Sequence, residues 1–238
     1  MFKNNPNVVK LAEEVYLYKN FLNEEELDSI EVAIKKLEEL GHWLNKDKYT
    51  KDSVIPAPQQ VFQGSEALNL LYEKAKDFFA PEYSPLPSNG ISKMVEGQSL
   101  EVHWDSPAHP DDDHEETEKE FFARKEKGIL YDPLDTCHIV QYGYVIYVND
   151  FEGGEIYYTD IDLEYAPKKG DLVIHSASSK YKHGVRPVTK GPRYANTNFV
   201  TLSKDSPMTL QEYLEPEFAS SKAEEAIQKG INAPTWQI

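Results

Sequence analysis

Seven histidines stand in the sequence, and three of them are followed two positions later by an acid: His103-Trp-Asp105, His109-Pro-Asp111 and His114-Glu-Glu116. An imidazole and a carboxylate at that spacing can hold one divalent metal ion, provided both side chains leave the backbone on the same side. The spacing alone is a cheap signal. Seven histidines in a chain with 41 acids among 238 residues give roughly 1.2 such pairs by chance. Local pattern has to choose among the three. Ser99–Trp104 reads as a β-strand led in by Gly97-Gln98, and in a strand residues i and i+2 face one side, so His103 and Asp105 can aim at one ion. The other two pairs lie in the acidic stretch around Asp111-Asp-Asp-His-Glu-Glu, which has no apolar alternation and contains Pro110, and they read as solvated surface.

A third ligand has to come from farther along. His183 opens Lys182-His-Gly-Val-Arg-Pro-Val188, which reads as a strand, and Arg193 stands ten residues later at the start of the next one. An antiparallel neighbour at that separation can carry Arg193 to the same cavity. Two histidines and one carboxylate on one face of a metal leave positions open for a cosubstrate and oxygen, the donor set of non-haem Fe(II) oxygenases. A guanidinium adds a permanently charged, two-pronged grip on a carboxylate. Together these residues describe a site for a dicarboxylate that chelates the metal at one end. Of the remaining candidates, His138 reads as a core residue and His175 as core or as support behind the metal ligands. Trp104 reads as core packing on the opposite strand face, and Asp150, Asp160 and Asp162 as turn and surface acids.

The elements that must position these residues follow from periodicity. Val15–Tyr18 alternates like a short strand. Asn23 stands as an N-cap ahead of three glutamates, and Leu27, Ile30, Ala33, Ile34, Leu37 and Leu40 recur at helical spacing, so the pattern predicts a helix over Glu24–Leu40, stopped by Gly41. A second helix is predicted over Ser65–Phe79, ahead of Pro81. From about residue 91 the period changes to two, and strands are predicted over Ser99–Trp104, Thr136–Val148, Glu155–Tyr158, Asp171–His175, Lys182–Val188 and Arg193–Leu202. Closely spaced strands without helices between them imply an antiparallel barrel or sandwich. Ser106–Gly128 is an acidic, mixed-charge insertion that reads equally well as a lid or as a solvated excursion, and the chain beyond Ser206 reads as a peripheral helical tail.

Twenty-five basic against 41 acidic residues give a net charge of −16, which repels phosphate backbones. Nucleic acid is therefore not expected as a partner, Lys180–Arg193 being the one locally basic segment, and a cationic peptide or protein suits the field better. Cys137 is the single cysteine, the start carries no apolar signal region, and nowhere do 18 apolar residues run together. A cytoplasmic protein without membrane association is the expectation; the oligomeric state is not legible.

Five blocks in order resemble the prolyl 4-hydroxylase-type branch of the 2-oxoglutarate/Fe(II) oxygenase superfamily, over roughly Val15 to Leu202. They are Val15-Tyr-Leu-Tyr-Lys-Asn-Phe-Leu-Asn-Glu-Glu-Glu-Leu27, Gly97-Gln-Ser-Leu-Glu-Val-His-Trp-Asp105, Tyr144-Val-Ile-Tyr-Val-Asn-Asp-Phe-Glu-Gly-Gly-Glu155, Pro167-Lys-Lys-Gly-Asp-Leu-Val-Ile174 and His183-Gly-Val-Arg-Pro-Val-Thr-Lys-Gly-Pro-Arg-Tyr194. The resemblance implies a mainly β fold with flanking helices around a double-stranded β-helix (jelly-roll, cupin-like) core. The whole chain would be one domain: 1–90 the opening strand and support helices, 91–202 the core with its insertion at 106–128, and 203–238 the tail. It implies Fe(II) held by His103, Asp105 and His183, with 2-oxoglutarate as cosubstrate, O2 as oxidant and ascorbate as a candidate reductant. Arg193 would clamp the far carboxylate of 2-oxoglutarate, with Tyr147 donating a hydroxyl to the same group and Thr197 lining the pocket. One departure stands out: a tyrosine common near the start of the Gly-Gln block is here Lys93 or Met94. The implied reaction is hydroxylation of an unactivated C–H, in the first place a prolyl residue of a peptide or protein, with release of succinate and CO2. A free amino acid or other small molecule, a metal-holding β-barrel that binds without turnover, and a cupin-like metalloenzyme without 2-oxoglutarate are the alternatives.

Overall fold

The longest strand organises the molecule. In the computed structural model, which describes residues 1–3, 5–40, 55–56, 66–86, 91–105 and 140–203, β14 (Arg193–Leu202) alternates strictly. Arg193, Ala195, Thr197 and Phe199 share one face, and Tyr194, Asn196, Asn198 and Val200 share the other. It pairs antiparallel with β7 (Tyr142–Tyr147), which pairs with β11 (Leu172–Ser176), then β2 (Val15–Tyr18) and β1 (Val8–Ala12). On its other side β14 meets β4 (Tyr83–Pro85) and β5 (Ser92–Met94), and β3 (Ile55–Pro56) closes that edge. Strands from both ends of the described chain therefore share one eight-stranded sheet.

Both faces of this sheet are covered, for two reasons that the sequence periods explain. The outer face carries Tyr144, Ile146, Val148, Leu172, Ile174, Tyr194 and Val200, packed against the apolar stripes of α1 (Glu24–Leu40) and α2 (Glu66–Phe78). The inner face carries Val15, Leu17, Val145, Tyr147, Val173 and Ala195, packed against Ile156 and Tyr158 of a second sheet. That sheet has the order β10 (Leu163–Tyr165), β9 (Ile156–Tyr158), β12 (His183–Val185), β6 (Leu100–His103). A third, two-stranded ribbon joins β8 (Glu152–Gly153) to β13 (Val188–Lys190). Among the described residues the fold is thus mainly β, with two flanking helices on one side.

The helices are seated by named contacts. Asn23 Oδ1 accepts from the Glu26 N–H at 3.0 Å while Glu26 Oε2 accepts from the Asn23 N–H at 2.7 Å, a reciprocal capping box. Glu26 also receives Lys74 of α2 at 2.5 Å, tying the two helices across their ends. Phe21, Phe78, Phe79 and Tyr18 then pack edge-to-face, and Phe2 stacks on Phe78, at centroid separations of 5.3–5.7 Å. Asn23→Ala is expected to cost about 1 kcal/mol, read as a lower urea midpoint with an unchanged slope; an unshifted midpoint would show that the box contributes nothing here.

The helices and the strands at β2, β6 and β14 stand where periodicity predicts them, within a residue or two. One predicted strand does not. Lys182–Val188 is broken into β12 and β13, because the chain leaves the four-stranded sheet after Val185 and pairs with β8 instead. Gly153 permits that second pairing: its φ is +71°, and a Cβ there would run into the Pro187 carbonyl. Periodicity does not predict β1, β3, β4, β5, β8 or β10. Thr136–Ile139, His138, Cys137, the pairs at His109 and His114, the 106–128 insertion and the tail beyond 203 lie outside the described residues.

Candidate metal centre

β6 and β12 run antiparallel, and their register places His103 directly opposite His183. The two rings lie 4.5 Å apart, centroid to centroid. Each ring turns its Nδ1 toward the carbonyl two residues behind it: His103 to Glu101 O at 2.9 Å, and His183 to Tyr181 O at 3.0 Å. A carbonyl only accepts, so each Nδ1 carries the proton and each Nε2 presents a lone pair. Asp105, just past the end of β6, sends Oδ1 to 3.7 Å from His103 Nε2 and 3.8 Å from His183 Nε2. The three ligand atoms lie within 4.8 Å of one another, the one such group of three among the described residues.

The electrostatics suit a cation. Burial pushes His183 down to about 3, with the neighbouring His175 and His103 rings adding to the effect against the pull of Asp105. Its ring is therefore neutral, the form that ligates a metal, across the physiological range. Burial alone would raise Asp105, but His183, His175 and His103 around it outweigh burial and hold the carboxyl well below its usual range. A pair of imidazole lone pairs and one carboxylate oxygen converging on one point is the donor set of a 2-His-1-carboxylate ferrous site.

Arg193, Tyr147 and Phe151 form a second group on the same inner face. Arg193 is 3% exposed, with its guanidinium carbon 5.1 Å from the Tyr147 ring and 5.7 Å from that of Phe151. Its Nη1 reaches Met94 Sδ at 3.5 Å, yet its Nε finds no partner, and neither does the Tyr147 hydroxyl. Burial raises the Tyr147 hydroxyl while Arg193 pulls it back, so it stays protonated and able to donate. Two buried donors are thus left without acceptors, Arg193 Nε and Tyr147 Oη.

Residues 90–201 match the profile of the 2OG-Fe(II) oxygenase superfamily. They belong to that superfamily. Among curated relatives, prolyl 3-hydroxylase 1 of Gallus gallus is 42% identical over 67 residues, 26% of this chain and 9% of that protein. Prolyl 3-hydroxylase 2 of Homo sapiens is 39% identical over 67 residues, 26% and 10% of the two chains. The aligned stretch thus spans about a tenth of the length of these curated relatives. Among solved structures, a prolyl hydroxylase from Trichoplax adhaerens in complex with a hypoxia inducible factor oxygen degradation domain peptide fragment superimposes with a TM-score of 0.54. Identity is 14%, covering 81% of this chain and 85% of that one. A 2OG-Fe(II) oxygenase family oxidoreductase from Burkholderia pseudomallei gives 0.51 at 15% identity, covering 83% and 88%. The facing antiparallel sheets are the double-stranded β-helix of these proteins.

Within the 2OG-Fe(II) oxygenase region the remaining candidates fall as follows. Thr197 shares the inner face of β14 with Arg193 and Ala195, pairs with Val145, and is exposed at that face. Of the two residues at the departure from the family pattern, Met94 pairs with Arg193 in register and is fully buried, and Lys93 pairs with Tyr194. Trp104 corrects the sequence reading. It is 41% exposed: among the described residues β6 is the outermost strand of its sheet and no other element packs over Trp104, although Lys182 Nζ lies 5.9 Å from its ring. Asp150, Asp160 and Asp162 are exposed, as read. His175 proves to be support: its Nε2 meets Asp105 Oδ2 at 2.9 Å. Its pattern, an apolar strand ending in a histidine, marked it as buried, but nothing in sequence paired it with a residue 70 positions away.

Proposed function

We propose that this protein is an Fe(II)- and 2-oxoglutarate-dependent dioxygenase that hydroxylates a prolyl residue of a peptide or protein. The observation that carries the reading is the pairing of a His103–Asp105–His183 triad with two buried, unpartnered donors, Tyr147 Oη and Arg193 Nε, on one inner face. His103 Nε2, His183 Nε2 and Asp105 Oδ1 would hold the iron. When bound, the iron supplies the redox chemistry by which 2-oxoglutarate and O2 become succinate and CO2, with one oxygen atom entering a substrate C–H. The chain's own part is placement. The backbone carbonyls of Glu101 and Tyr181 fix both imidazoles as Nδ1–H tautomers. Arg193 and Tyr147 grip the far carboxylate of the cosubstrate, and Val145, Ala195 and Tyr158 keep water from the space between.

The prolyl assignment draws support from the curated relatives, which are named prolyl 3-hydroxylases, and from a structural neighbour bound to a peptide. The net charge of −16 favours a basic peptide. The test is to incubate the protein with Fe(II), 2-oxoglutarate, ascorbate and a library of proline-containing peptides, following succinate release and a 16 Da mass gain. The expected result is a gain on proline, confined to basic peptides, that depends on 2-oxoglutarate; fragment ions then report the modified ring carbon. Peptide-independent succinate release with no peptide modified would redirect the assignment to small-molecule substrates. No succinate under any condition would leave a binding module.

A further inference from the structure

The two oxygens of Asp105 have different surroundings. Oδ1 faces the Nε2 atoms of His103 and His183, whereas Oδ2 points away from them, onto His175 Nε2 at 2.9 Å. A carboxylate at that distance accepts, so His175 Nε2 carries a proton. The other ring nitrogen, Nδ1, lies 3.0 Å from the Tyr158 hydroxyl, which donates to it and thereby fixes the Nε2–H tautomer. Both groups are buried, His175 at 1% and Tyr158 at 3% exposed. The arrangement also has room made for it. Gly143 stands opposite His175 on β7, and a Cβ there would collide with Asp105 Oδ2 and lie 2.7 Å from His175 Nε2. A bare glycine in an otherwise bulky strand is what lets carboxylate and imidazole meet.

We infer that His175, itself held by Tyr158, is a positioning residue that reserves Oδ2 of Asp105, so that the carboxylate offers the metal Oδ1 alone. The inference rests on the iron-site reading above and deepens it. A carboxylate that swung to present both oxygens would take two positions at an ion that needs one for oxygen and two for the cosubstrate beside its three protein ligands. The Tyr158–His175–Asp105 chain closes that route by giving Oδ2 a hydrogen-bond partner of its own. Outer partners of this kind orient a ligand, and their loss typically costs about 10–100-fold in metal affinity.

The test uses the full chain and Co(II) as the probe, in the absence of 2-oxoglutarate. Affinity is read by calorimetry, coordination by the visible absorption of bound Co(II), and folding by circular dichroism of the metal-free chain. His175→Leu is expected to weaken Co(II) by about 10–100-fold and to alter the absorption band. His175→Gln, whose amide N–H can stand near the ring's Nε2, should recover most of both. Tyr158→Phe, which keeps the ring but frees its tautomer, should fall between. If His175→Leu fails to fold, the Gln and Phe variants carry the comparison. Parental affinity and spectrum in Tyr158→Phe and His175→Leu would overturn the inference. So would an equal loss in His175→Leu and His175→Gln, the mark of a packing role. A parent chain that binds no Co(II), or one that loses none on His183→Ala, would instead overturn the iron-site reading itself, and with it this one.

Discussion

Asp105→Ala and His183→Ala are each expected to abolish 2-oxoglutarate turnover, with succinate release falling to the level of the metal-free protein. Asp105 is the only acid within the triad, and it is enclosed by three imidazoles, those of His103, His175 and His183. Its removal takes away the single negative ligand and leaves Nε2 lone pairs with no charge to balance a divalent ion. The effect should exceed the about 10–100-fold loss typical of an outer partner, because a ligand itself is gone. His183→Ala removes the donor that β12 places across from His103, and no other described side chain lies where it could substitute: His175 is turned to Oδ2 of the carboxylate. Folding should survive both changes, since neither side chain belongs to the apolar clusters that join the sheets to each other and to the helices. Succinate release and Co(II) titration on the same preparations check this. Turnover at the parental rate in either variant would sink the site assignment.

How far the sequence carried toward this site varies by residue, and the reasons are physical. His103 and Asp105 were legible because a strand's period of two places i and i+2 on one side, a purely local rule. The helix over Glu24–Leu40 was legible for the same kind of reason: its cap, its acids and its stripe are all contained in one segment. His183 needed a long-range assumption, that its strand would lie beside β6, and the structure makes them partners in register. Trp104 misled because alternation tells which residues share a face but not whether another layer covers that face; β6 is a sheet's edge. The predicted strand Lys182–Val188 contains Gly184 and Pro187, which suit an unbroken strand poorly, and the partner strand changes from β9 to β8 on either side of Pro187. The hydrogen bond from His175 to Asp105 depends on the stacking of two sheets and on the missing side chain at Gly143, and no local pattern encodes that.

Arg193→Met is expected to separate cosubstrate binding from stability, moving the two in opposite directions. In the metal-free chain Arg193 is buried without a carboxylate partner among the described residues. Its guanidinium meets Met94 sulfur and the Tyr147 and Phe151 rings, and its Nε has no hydrogen-bond partner. A buried guanidinium left so poorly paired is an uncompensated charge and contributes little to stability, if not less than nothing. Methionine, of similar length and apolar, fits beside Met94, so the melting temperature of Arg193→Met should equal or exceed that of the parent. Its 2-oxoglutarate affinity should fall by the about 2–5 kcal/mol that removing one partner of a buried charge pair costs, which is about 30- to 5,000-fold. Arg193→Lys should lose less, since charge remains but the two-pronged geometry does not. Tyr147→Phe should lose about 1.5–3 kcal/mol, the worth of a hydrogen bond to a charged acceptor. A thermal-shift titration with 2-oxoglutarate reads both quantities at once. The parent should gain about 2.7 kcal/mol at a hundredfold excess over Kd, and Arg193→Met should gain less than about 1 kcal/mol at the same concentration. A large drop in the metal-free melting temperature with an undiminished 2-oxoglutarate shift would make Arg193 a structural residue and leave the cosubstrate's far carboxylate without its anchor.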